Sequence, residues 1–179
     1  MLIYPFGFKG TIALTIVVAA AVALRKKSLY AFKRTVSDSE LKRGDVIGVH
    51  RIGILYDHYG IYTGNNEVIH FSDEGGDFGD DTCIRRTTLT QFKDGASNVF
   101  VVYFKNEFKT YSPEYAVKKT ESLLGKGKGK YSLLTNNCEH FAVWCKTGKH
   151  ESSQVPTLLE AAAWAVNRGI SPADMILKF

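Results

Sequence analysis

With 179 residues, 45% of them hydrophobic and 23% charged, the chain has room for one packed domain, and its composition excludes wholesale disorder and fibrous repeats. Lys and Arg outnumber Asp and Glu by 23 to 18, a net charge of +5 that is too small to choose between nucleic acid and an anionic membrane surface. Three cysteines, Cys83, Cys138 and Cys145, cannot make a disulfide framework; so sparse and odd a number fits a reducing, intracellular compartment and leaves at least one thiol for chemistry.

The first predicted element is the apolar run TIALTIVVAAAVAL at 11–24. As a helix it rises about 21 Å, short of a hydrocarbon core of roughly 30 Å. Arg25, Lys26 and Lys27 follow it, which by the positive-inside rule puts a cytoplasmic body behind an N-terminal anchor. Three readings stand: a membrane anchor or half-inserted helix, a buried core helix, and a cleaved signal with AVA before the cut. Short β-like runs come next, at 45–54, 58–64, 67–71 and 98–104, rich in Val, Ile, Tyr and Phe and separated by turn residues. The acidic, Gly-rich stretch 72–81 reads as a solvated loop. A helix is predicted from the Ser112 N-cap, with Pro113 at its first position, to Gly125. GKGKGKY (125–131) then reads as a flexible basic loop. Another helix starts near Asn136 or Asn137 and stops at Gly148, a third spans 156–168, and a capped fragment follows at Ser171-Pro172. Strands precede helices, so the class is α+β, a small antiparallel sheet packed against helices. The division is a hydrophobic N-terminal anchor or helix (1–30), a main domain (31–150) and a C-terminal helical extension (151–179).

Cys138 is the first candidate for chemistry. Two capping Asn residues place it in the first turn of its helix, where unpaired N–H groups and the macrodipole favour thiolate over thiol. Cys138, Phe141, Ala142 and Cys145 follow i, i+3, i+4, i+7, so the thiol lies on the apolar, inward face. That register also suits an ordinary small buried hydrophobe. Partners stand on the strands. His58 and His70 face the same way only if an odd-residue hairpin loop joins their strands, for instance the three residues 64–66, and the expected register sets Gly60 opposite His70 with His58 diagonal to it. A helix carrying Cys138 across that face completes a nucleophile, a base and a group that orients the base. The Cys138 N–H is then placed to donate to an oxyanion. A metal site from His58, His70 and Cys138 matches no zinc spacing well, so neither metal nor cofactor is expected. His140 points away from the thiol, and His50 and His150 sit in polar surroundings. Residues 105–130 hold seven Lys and three Glu, a solvated face or a loop resting on anionic headgroups. No phosphate-binding loop or basic–aromatic interleaving marks a nucleic-acid binder.

LKRGDVIGV, DHYGIYTGNNEVIHF and NNCEHFAVWCKTG resemble the lecithin:retinol acyltransferase family, which includes phospholipase/acyltransferases, over roughly Leu41 to Gly148. The resemblance implies a circularly permuted papain-like, NlpC-type fold, with Cys138 as nucleophile, His58 as general base and His70 as the third, polarising residue. It also implies acyl transfer from glycerophospholipid esters through a cysteine thioester to water, an amine or an alcohol, without metal. The partners implied are a phospholipid substrate and a membrane surface. Two other classes fit the same residues: a papain-like thiol amidase or peptidase, and a non-catalytic membrane-recruitment module that would tolerate Cys138→Ala.

Overall fold

In the computed structural model, which describes residues 29–51, 56–74, 81–132 and 136–155, six strands form one antiparallel sheet. In chain order they are β1 (Tyr30–Val36), β2 (Val46–Arg51), β3 (Tyr56–Gly64), β4 (Glu67–Ser72), β5 (Cys83–Thr88) and β6 (Val99–Phe104). In space the order is β1-β6-β2-β3-β4-β5. The described helices are α1 (Leu89–Lys93), α2 (Pro113–Glu121) and α3 (Cys138–Thr147). This is the α+β class, and residues 29–152 form one unit. The apolar run 11–24, the helix expected at 156–168 and the fragment at Ser171-Pro172 lie outside the described residues. Among the described residues no helix is long and apolar enough to cross a membrane.

Alternation along the strands sorts the apolar side chains into two layers. One face buries Val46, Tyr59, Ile61, Ile69, Phe71, Phe100 and Val102 against Val117 of α2 and Phe141, Ala142 and Cys145 of α3. The other buries Ile47, Val49, Tyr62, Val68, Val99 and Val101 against Leu89 and Phe92 of α1. Central strands that are covered on both faces read as near-continuous apolar runs, which is why β2, β4 and β6 were legible from composition.

Helix boundaries follow their caps. Ser112 Oγ accepts the Tyr115 N–H at 3.2 Å, and α2 begins at Pro113. It stops at Glu121, short of the expected Gly125, and a series of turns carries the chain to that glycine. Asn137 Oδ1 accepts the His140 N–H at 3.0 Å and opens α3, which ends on Gly148 at φ 77°. The Gly-Lys segment is not a detached loop. Gly125 N–H donates to Ile84 O at 2.8 Å and Ile84 N–H to Lys126 O at 2.9 Å, so it covers the outer edge of β5. A Cβ at Gly127 would lie 2.6 Å from the Phe71 ring; glycine is what lets the backbone approach the core there.

Candidate active site

The site begins with the β3–β4 hairpin. Asn65 and Asn66 both have positive φ, 51° and 63°, as a two-residue type I′ turn requires. Gly64, at φ 87°, sits at a register shift between Tyr62 and Gly64, the position a glycine takes in a bulge. A two-residue turn plus one bulged residue therefore replaces the expected three-residue loop. The register comes out as expected: Gly60 pairs with His70, and both histidines share a face. Gly60 is held to glycine by that pairing, since a Cβ would lie 2.6 Å from Val68 Cγ1 and 3.1 Å from His70 Cβ. Gly60→Ala is expected to cost about 1–3 kcal/mol, measured by urea unfolding; a variant as stable as the parent would contradict the tight pairing.

His58 and His70 are both buried. His58 Nε2 and His70 Nδ1 lie 2.7 Å apart, with the rings edge to face. His70 Nε2 lies 2.8 Å from Thr87 Oγ1 on β5, and Phe92 of α1 packs against both rings. Burial, with the nearby Arg51 guanidinium adding to it, pushes the His58 imidazole down to about 3. Arg51 is fixed by donating to the Phe92 and Lys93 carbonyls, each at 2.6 Å. His58 is therefore neutral at physiological pH, the form that accepts a proton.

Cys138 opens α3 as expected, and Cys138, Phe141, Ala142 and Cys145 are all buried. Its Sγ lies 3.9 Å from the carbonyl oxygen of Asp57, the residue before His58. Cys145 differs: burial raises its thiol to about 11, and it behaves as a core residue. One expectation is corrected. The imidazoles project to the face covered by α1, whereas the body of α3 packs on the opposite face with Tyr59, Ile61 and Phe71. The helix does not cross the histidine face; its first turn comes up to the start of β3. Side-chain alternation alone could not reveal this, because it says nothing about where a helix end stops along a strand.

Three features had no clear sequence signal. Thr87 lies on β5, whose sequence CIRRTT reads as polar. Glu139 is fully buried beside Cys138, where Tyr30 Oη donates to it at 2.6 Å and Ser152 Oγ also donates; the pair ties the first turn of α3 to β1. Asp57 holds Lys33 at 2.7 Å and His50 at 2.5 Å at the end of β3 where the thiol lies. His50 and His150 are exposed, as their surroundings suggested, while His140 is buried and stacked on His150 at 4.6 Å.

The fold and site define an α+β protein with a helix-start cysteine at the end of a strand that carries one half of a buried histidine pair. The family model described as lecithin retinol acyltransferase matches residues 39–151, and the chain belongs to that family. Bovine (Bos taurus) lecithin retinol acyltransferase is 33% identical over 146 residues, covering 68% of this chain and 61% of its own length. Protein LEAD-SENSITIVE 1 of Arabidopsis thaliana is 27% identical over 154 residues, 63% of this chain and 60% of that protein. Human phospholipase A and acyltransferase 4 is 28% identical over 127 residues, 65% of this chain and 76% of its own. The chain thus spans about three fifths of the first two relatives.

Proposed function

We propose that this protein is a thiol-dependent acyltransferase or phospholipase A that takes acyl groups from glycerophospholipid esters through a Cys138 thioester. The observation that carries the reading is the relay of His58, His70 and Thr87, spaced at 2.7 and 2.8 Å, ending one residue from the carbonyl beside Cys138. Membership of the family, and relatives named as acyltransferases and as a phospholipase, support the same chemistry.

In the productive tautomer His58 carries its proton on Nε2 and donates it to His70 Nδ1, while His70 donates from Nε2 to Thr87 Oγ1. His58 Nδ1 is then the base. It takes the Cys138 proton as sulfur attacks the ester carbonyl, and the Cys138 N–H, at the positive end of α3, holds the oxyanion. Collapse breaks the ester C–O bond, His58 returns the proton to the departing lysolipid oxygen, and a thioester remains. Water, an amine or an alcohol then gives up a proton to His58 and attacks the thioester, and the thiol is restored. The catalytic domain is 31–150 and works at a membrane surface, with 1–30 as its anchor. Lys126 and Lys130, exposed on the segment pinned to β5, add roughly 1 kcal/mol each on anionic lipid, while Lys128 is held by Asp81.

The test is intact-protein mass after brief incubation with phosphatidylcholine vesicles, with and without anionic lipid. Wild type should gain one acyl mass, faster with anionic lipid, and Cys138→Ala should gain none. A gain that survives in Cys138→Ala would place the acyl group elsewhere. No gain in wild type, with Cys138 alkylating no faster than an ordinary thiol, would sink the enzyme reading in favour of a membrane-recruitment module.

A further inference from the structure

On the histidine face, level with the relay, two buried donors stand without partners among the described residues. Ser72 is 3% exposed, and its Oγ makes no hydrogen bond; the Nε of half-buried Arg85 is likewise buried and unpaired. Across β4 and β5, Ser72 pairs with Cys83 and His70 with Arg85, so alternation puts Ser72, His70, Cys83 and Arg85 on one face, with Ser72 and Arg85 diagonal neighbours. The rest of the guanidinium runs toward the start of β5. Nη2 donates to the Asp81 carbonyl at 3.4 Å, and Nη1 lies 3.6 Å from the Glu74 carboxylate. Asp81 is in turn held by Lys128 at 2.6 Å. Orphaned buried donors cost stability, and an oxygen anion entering from solvent would supply the acceptor that the described residues do not.

We propose that Ser72 and Arg85 form a phosphoryl-binding subsite beside the histidine relay, which receives the phosphodiester of the acyl donor's headgroup. This rests on the reading of the protein as a phospholipid acyltransferase and assigns it a donor-recognition site. A hydroxyl and a guanidinium N–H on diagonal positions of adjacent strands suit an oxygen anion, and Arg is the cation whose planar fork matches phosphate. Placement agrees with chemistry. β4 lies about 4.8 Å from β3, so a phosphodiester on Ser72 sits one strand away from His58, the base of the proposed reaction. The exposed Glu74 carboxylate at the outer rim meets the cationic end of a zwitterionic headgroup and disfavours a doubly charged free phosphate.

The experiment compares full-length wild type, Ser72→Ala, Arg85→Gln and Arg85→Lys on two acyl donors, a soluble short-chain phosphatidylcholine and the p-nitrophenyl ester of the same fatty acid. Binding of sn-glycero-3-phosphocholine and of inorganic phosphate is titrated in parallel. The preference for the phosphodiester donor, read as the ratio of kcat/KM values, is expected to fall about tenfold in Arg85→Gln and about threefold in Ser72→Ala, mainly through KM. Arg85→Lys should recover only part of the loss, and it keeps the test alive where Arg85→Gln fails to fold. Glycerophosphocholine should bind wild type and bind Arg85→Gln at least fivefold more weakly. An unmoved donor ratio in both Ser72→Ala and Arg85→Gln overturns the subsite, as does binding of inorganic phosphate alone. If neither donor reacts with wild type, the acyltransfer reading fails, and the glycerophosphocholine titration still decides the subsite.

Discussion

His58→Gln is expected to slow Cys138 acylation by about 10²–10⁴-fold, the usual contribution of a positioned general base. His70 should matter less, on the order of 10²-fold in His70→Ala, because it acts only through His58. Thr87→Val should cost about fivefold, the worth of one hydrogen bond near 1 kcal/mol, and Thr87→Ser should restore it. The ranking follows from the proposed role of His58 as proton carrier and the chain of contacts behind it: His70 lies 2.7 Å from His58 and Thr87 2.8 Å from His70. Burial strengthens the dependence. An imidazole held down to about 3 is seldom protonated at rest, so in the proposed reaction it gains basicity only as the thiolate forms, and His70 must keep the His58 Nε2–H turned toward itself throughout. The measurement is single-turnover thioester formation, with urea midpoints recorded for each variant to separate lost chemistry from lost fold. His58→Gln retaining more than about a tenth of the wild-type rate would remove His58 from the base role, and Thr87→Val falling as far as His58→Gln would refute the ordering.

Much of this site was legible because each part depends on local chemistry. The register that sets Gly60 against His70 follows from side-chain alternation and a hairpin rich in Gly and Asn. The position of Cys138 follows from Asn137 as N-cap and Gly148 as C-cap. What escaped depends on distant contacts. β1 pairs with β6 and β5 with β4, but as edge strands they carry charged or polar residues outward, and KRT and RRT do not read as strand. The TLTQ capping box that opens α1 is a local signal, yet five residues are too few to show a helical period. The Gly-Lys segment looks like a linker by composition; its hydrogen bonds to Ile84 come from the open edge of β5 and leave no trace in its own residues. The side of the sheet on which α3 lies is also a tertiary fact, set by Tyr59, Ile61 and Phe71 together.

Acid should unfold this protein sooner than its net charge suggests. The His58 imidazole titrates near 6.5 in the unfolded chain and at about 3 in the fold, so between those values the unfolded chain binds the extra proton and stability falls as pH falls. Its contribution is intact above pH 6.5 and is lost progressively toward pH 3, by about 2 kcal/mol at pH 5. His140, pushed down to about 4 by burial with help from His150, acts in the same direction; it is only 7% exposed as a whole residue, but its ring stacks on an exposed neighbour, so its share is the smaller. Urea unfolding of the full-length protein at pH 7.5 and pH 5, followed by far-ultraviolet circular dichroism, should show the midpoint falling by on the order of 1 M. In His58→Gln the midpoint is lower at both pH values, because a buried partner of His70 has been replaced, but the difference between the two shrinks by more than half. A pH difference as large in His58→Gln as in wild type would show that His58 is not the group whose protonation drives the loss, and would place the buried base of the relay in a wetter environment than its contacts with His70 and Phe92 describe.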